Sequence, residues 1–167
     1  YRRGVDVILE KNIQCTGCGL CEVVCSKNTL KIKKYSEGFY KSFQVNDNCN
    51  ECGLCEKICP VYQTNEFNRP ISFVSAFSKD PQTRKSCSSG GVAHEIGTLL
   101  LGKGYEVCGV IYDNDKEIAL HTISINYKGL EDIKGSKYIQ SYTPEAFKQI
   151  VSKIKNNKYL IFGTPCQ

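Results

Sequence analysis

Eight of the eleven cysteines stand in two copies of one spacing, Cys15-x2-Cys18-x2-Cys21-x3-Cys25 and Cys49-x2-Cys52-x2-Cys55-x3-Cys59, the second followed by Pro60. Three thiolates so close together force the backbone to loop round a single bulky centre, with the fourth leaving on the departing turn. Such a run suits a 4Fe-4S cubane, whose chemistry is the uptake and release of single electrons. A structural zinc site instead pairs two C-x2-C units separated by a dozen or more residues. A disulfide framework belongs to an exported chain, and no signal peptide precedes Cys15. Neighbouring thiols on one tight loop also pair badly.

In bacterial two-cluster ferredoxins the fourth cysteine of each run serves the other cluster. The expected ligand sets are therefore Cys15, Cys18, Cys21 and Cys59 for one cubane, and Cys49, Cys52, Cys55 and Cys25 for its partner. The two runs then fold only together. Gly17, Gly19 and Gly53 lie inside the loops, where backbone N–H groups can approach cluster sulfurs. Cys25 is followed by Ser26 where the second run has proline, which loosens that exit turn.

The elements that must hold these loops repeat with them. Short extended stretches are expected near 5–9 and 43–45, and a turn of helix within 20–25 and within 54–59. Between the runs, 29–35 and 39–45 read as a hairpin hinged at Glu37-Gly38. A polar, turn-prone stretch follows, and the linker is placed at 63–70.

Beyond it, periodicity predicts strands at 71–77, 105–112, 118–125 and 138–141, with helices at 92–101 and 144–155. The last helix should start on Thr143 as N-cap with Pro144 at its first position, burying a stripe of Phe147, Ile150, Val151 and Ile154. A final buried strand at 159–162 runs into Gly163-Thr164-Pro165-Cys166-Gln167, a loop at the strand end where α/β folds place ligands. The expected class is α+β: a dicluster ferredoxin fold over 1–62, then the N-terminal part of a mixed-sheet α/β domain over 71–167. With no methionine and a start at Tyr1, the chain reads as a piece of a longer protein.

One further loop could do chemistry. Arg84-Lys85-Ser86-Cys87-Ser88-Ser89-Gly90-Gly91 enters a helix N-terminus with hydroxyls, cations and two glycines, a setting for phosphate or pyrophosphate. Ordinary helix capping is the commoner explanation of such residues, so the loop needs support from elsewhere in the chain.

The order of Arg84-x3-Ser88-Ser89-Gly90-Gly91, then Gly135-Ser136-Lys137-Tyr138, then Gly163-Thr164-Pro165-Cys166-Gln167, all behind two cluster runs, resembles the coenzyme F-420 hydrogenase/dehydrogenase beta-subunit family. The resemblance covers essentially the whole chain. It implies a flavoprotein oxidoreductase that passes electrons between 4Fe-4S clusters and FAD, and exchanges hydride with coenzyme F-420 or a related substrate. It makes Arg84 a cofactor-binding residue and places Ser88, Ser89, Gly90 and Gly91 at the flavin pyrophosphate and Lys137 at the ring or its phosphates. Cys166 becomes either a ligand of one further 4Fe-4S cluster or a flavin-side thiol, with a buried structural thiol as the alternative. Cys87 stands where the family commonly carries serine. The alternative is a non-enzymatic ferredoxin-like carrier subunit of a larger complex.

The partners expected are a ferredoxin, a hydrogenase or dehydrogenase subunit, or a small electron carrier. Cysteine-rich composition without an export signal points to a reducing cytoplasm, and no apolar stretch is long enough for a membrane span. The formal net charge of +5 counts the thiols as neutral. Two cubanes at about −2 each bring it to roughly +1, and the basic residues are scattered, so nucleic acid is not an expected partner. Cys108 reads as a core hydrophobe. His94 and His121 show no carboxylate or cysteine partner in sequence.

Overall fold

The protein is described by a computed structural model covering residues 15–63 and 70–167. The extended stretch expected near 5–9, and most of the linker, lie outside the described residues.

The first part consists of α1 (Leu20–Val24), strands β1 (Leu30–Lys34) and β2 (Tyr40–Gln44), and α2 (Leu54–Ile58). β1 and β2 form an antiparallel pair with Ile32 opposite Ser42. Strand alternation turns Leu30, Ile32, Tyr40 and Ser42 inward, all buried, and leaves the lysines outside. The hairpin and both helical turns fall where the cysteine repeat predicts them.

The second part runs α3 (Pro81–Ser86), α4 (Val92–Leu101), β3 (Tyr105–Asp113), β4 (Ile118–Ser124), α5 (Tyr127–Asp132), β5 (Ser141–Tyr142), α6 (Pro144–Lys153) and β6 (Lys158–Ile161). Its four strands are ordered β5-β4-β3-β6. The central pair is antiparallel, and both outer strands join it in parallel, giving the expected mixed sheet and an α+β chain.

The structure departs from the sequence expectations in several places. Residues 71–77 alternate like a strand but pair with nothing in either sheet: they form no regular element, with Ile71, Phe73 and Val74 at 104%, 88% and 87% exposure. Arg84–Ser86 belong to a helix rather than a loop, because Asp80 caps it by accepting from the amides of Gln82 and Thr83 and Pro81 fills its first position. Helix α5, capped by Asn126 accepting from the amide of Gly129 at 2.9 Å, was not expected. The short strand lies at 141–142 instead of 138–141, and Tyr138 and Ile139 are exposed.

Helix α6 begins on Thr143 and Pro144, yet Thr143 makes no side-chain cap. Its buried face is Thr143, Ala146, Phe147 and Ile150, while Val151 and Ile154 are exposed. The i, i+3, i+4, i+7 stripe is thus present one turn earlier than predicted, because two elements cover α6 near its start. Beneath it lies the sheet, with Cys108, Ile123 and Tyr159; beside it lies α1, with Leu20 and Val23. One small apolar core therefore joins the first cysteine run to the α/β sheet.

Candidate electron-transfer site and adjoining cleft

Cys15, Cys18, Cys21 and Cys59 line one cavity of about 130 Å³, together with Cys55 and the apolar Leu20, Leu30, Ile32 and Val61. Four soft thiols in a largely apolar shell are the donor set and surroundings that a cubane needs. Burial pushes the Cys21 thiol up to about 11 and raises Cys18 and Cys55 as well. Neutral thiols in such a shell resist ionisation until a cation arrives to hold the thiolates. Ser42 Oγ lies 3.2 Å from Cys21 Sγ, so the hairpin supplies a hydroxyl to this sulfur.

The remaining run is arranged differently. Cys49 and Cys52 are exposed, and Cys25 and Cys55 are half-buried. Burial alone would raise the Cys25 thiol, but the Thr29 hydroxyl at 3.0 Å and the Thr29 amide at 3.4 Å hold it below the usual thiol range. The Glu51 amide donates to Cys49 Sγ at 3.4 Å. Among the described residues no group of three or more His, Cys, Asp or Glu side chains could hold a single metal ion. A cubane presents four separate iron corners, so its ligand sulfurs stand farther apart than those of one tetrahedral ion.

The first loop is gripped from the α/β part. The Thr143 hydroxyl donates to the Cys18 carbonyl at 2.7 Å, which is why it is unavailable as a helix cap. The Gln140 amide donates to the Thr16 carbonyl at 2.6 Å, and its carbonyl accepts from the Tyr40 amide. Glu22, only 2% exposed, accepts from Lys148 at 2.7 Å, Lys31 at 3.0 Å and the Ile32 amide at 2.7 Å. Gly19 adopts φ +84 directly beside Thr143, where a side chain would collide with the hydroxyl.

Next to this cavity opens a cleft of about 600 Å³. Its wall brings together the three loops singled out in sequence: Cys87 to Gly91, Lys134 to Lys137, and Gly163, Thr164, Cys166 and Gln167. Its size lies within the range of ligand and cofactor sites. The Ser136 amide donates to Ser88 Oγ at 2.7 Å, tying the first loop to the second across 48 residues. Gly91 begins α4 at φ +80 with no side-chain cap, so the first amides of a ten-residue helix face the cleft end unshielded.

Arg84 is not among the lining residues; its guanidinium lies over the Phe77 ring, 4.8 Å from the centroid. Lys137 does line the cleft, with its ammonium donating to the carbonyls of Ile133 and Lys134 at 3.2 and 2.8 Å, and burial lowers its pKa. His94 also lines it and meets Glu131 at 3.2 Å, a partner invisible in sequence. His121 is buried below, its Nε2 3.2 Å from the Phe162 carbonyl, and burial lowers its pKa.

The cavity and the cleft adjoin. Thr16 lines both. Gln140, Glu22 and Lys148 escaped the sequence reading, and Thr143 was read there only as a helix cap. Glu22 alone left a signal, as the single charge in the apolar turn Leu20-Cys21-Glu22-Val23-Val24.

The family model of the 4Fe-4S dicluster domain matches residues 14–62. Those residues form a 4Fe-4S dicluster domain. No curated protein matches the chain. The dicluster domain spans both cysteine runs and makes this segment an iron–sulfur electron carrier. Among the described residues no helix is long and apolar enough to cross a membrane.

Proposed function

We propose that the chain is an iron–sulfur flavoprotein oxidoreductase in which the dicluster domain exchanges electrons with FAD bound in the adjoining cleft. The observation that carries this reading is the shared wall: three loops from distant parts of the sequence meet in one cleft, and Thr16 of the first cysteine loop lines it too. On this reading Cys15, Cys18, Cys21 and Cys59 hold one cubane, and Cys49, Cys52, Cys55 and Cys25 the other. FAD accepts two electrons as hydride and releases them singly, which matches a two-electron substrate such as coenzyme F-420 to one-electron clusters.

The chain's own residues then have defined tasks. Ser88, Ser89, Gly90, Gly91 and the α4 N-terminus bind the pyrophosphate through amides, hydroxyls and the helix dipole. Lys137, pinned on two carbonyls, keeps a cation at the cleft wall. Cys166 is a flavin-side thiol, with the Thr164 hydroxyl 3.1 Å from its sulfur. Arg84 has a packing task on Phe77 instead.

Anaerobic reconstitution of the chain with iron, sulfide and FAD tests this directly. Flavin absorbance should persist beside the iron–sulfur bands after gel filtration. Gly91→Val forces a β-branched residue into the left-handed region and brings Cβ to about 3.1 Å from Thr83 Cγ2. It should lose the flavin and keep full iron content. A full-length protein with full iron that retains no FAD would leave only the electron-carrier reading.

A further inference from the structure

The titratable side chains on the cleft wall are Cys87, His94, Lys134, Lys137 and Cys166, and no carboxylate is among the described residues that line it. Of these side-chain types only imidazole takes up and gives off its proton between about pH 5 and 8. Both ammoniums are engaged, Lys134 with Glu131 at 2.6 Å and Ser86 at 3.1 Å, and Lys137 with two carbonyls. His94 stands in the first turn of α4, its side chain 14% exposed and its Nε2 3.2 Å from Glu131 Oε1. Its Nδ1 has no partner among the described residues. Glu131, on α5, lies outside the cleft wall and its side chain is 57% exposed. A ring inside the cleft thus meets a carboxylate that faces solvent.

We infer that His94 and Glu131 form a proton outlet from the cleft, with His94 exchanging the proton and Glu131 linking it to water. This rests on the conversion of hydride to single electrons proposed above. A hydride is a proton with two electrons, and cubanes take up electrons alone. Each hydride that enters therefore sends two electrons to the clusters and leaves one proton to be carried out. His94 accepts that proton on Nδ1 and becomes an imidazolium, whose charge the Glu131 carboxylate stabilises. A proton then leaves Nε2 by way of the exposed Oε1 to water, and the ring is neutral again. Lys134 holds the other carboxylate oxygen, which keeps Oε1 aimed at the ring. Flow in the opposite direction brings one proton in for each hydride that departs.

Two kinds of measurement decide it. In the oxidised, iron-loaded protein, long-range proton–nitrogen NMR spectra should show neutral His94 protonated on Nε2, the nitrogen beside Glu131. That readout needs no FAD. In the FAD-loaded protein, reduced with dithionite, desalted and then oxidised by ferricyanide under anoxia, a pH indicator should report the release of protons. Release should slow about a hundredfold in His94→Ala, and added imidazole should restore it, which a merely structural defect would not allow. Glu131→Gln alters no residue of the cleft wall, so it should keep FAD and iron and still slow the release. A neutral ring protonated on Nδ1, wild-type release in either variant, or a slow His94→Ala that imidazole leaves slow would each overturn the inference. Wild-type protein with full iron and no FAD would instead remove the flavin reading, and the Nε2 tautomer would then decide the His94–Glu131 pair by itself.

Discussion

At the scale of single residues, Cys108 separates two kinds of thiol in one chain. It is fully buried on β3, and burial pushes its pKa up to about 12, so it stays protonated and closed to reagents. Alkylation of the native apo protein at pH 8 should leave Cys108 unmodified until denaturant is added. Cys108→Ser, which buries a hydroxyl with no partner, should cost about 1–3 kcal/mol of unfolding free energy in a urea titration. The cysteines were legible because each run has a spacing that few structures other than a cubane loop need, and Cys108 because it sits alone in an apolar strand. Gln140 was not legible, since its role depends on meeting Thr16 and Tyr40 from 124 and 100 residues away.

At the scale of elements, the Glu22 carboxylate joins α1, β1 and α6. Burial alone would raise its pKa, but Lys148, the Ile32 amide and Lys31 outweigh that and hold it below the usual carboxylate range. A carboxyl depressed on folding contributes stability above its unfolded value, about 4.3, and loses that contribution as pH falls through the lowered folded value. Glu22→Gln should therefore be less stable than wild type at pH 7, by denaturant unfolding of the apo protein. The gap should close below about pH 4. Elements with local signals were read correctly: the β1–β2 hairpin from its turn, and α4 and α6 from their periodicity. The stripe on α6 was misplaced by a turn because α1, an element of the other half, packs beside its start and draws Thr143 and Ala146 inward. Helix α3 carried its own marker in Asp80-Pro81, obscured by the glycine-rich sequence that follows it.

At the scale of the whole molecule, the dicluster domain and the mixed sheet share a core and a set of cross-links, so the relation between cavity and cleft is fixed by packing as well as by chain connectivity. None of that geometry has a local sequence code; the order of the motifs hinted at it, and only folding brings Ser88 to Ser136. Residues 71–77 show the reverse failure, a strand pattern with no ladder to join. They form a seven-residue window without charge or proline, with Phe73 and Val74 almost wholly solvated. An exposed apolar segment of that composition is the kind of template on which copies of a chain stack into cross-β fibrils. Concentrated samples should consequently bind thioflavin T after agitation, and Phe73→Lys should lengthen the lag before they do. On this account the shelf life of the protein depends on a short apolar segment that carries none of the cysteine ligands.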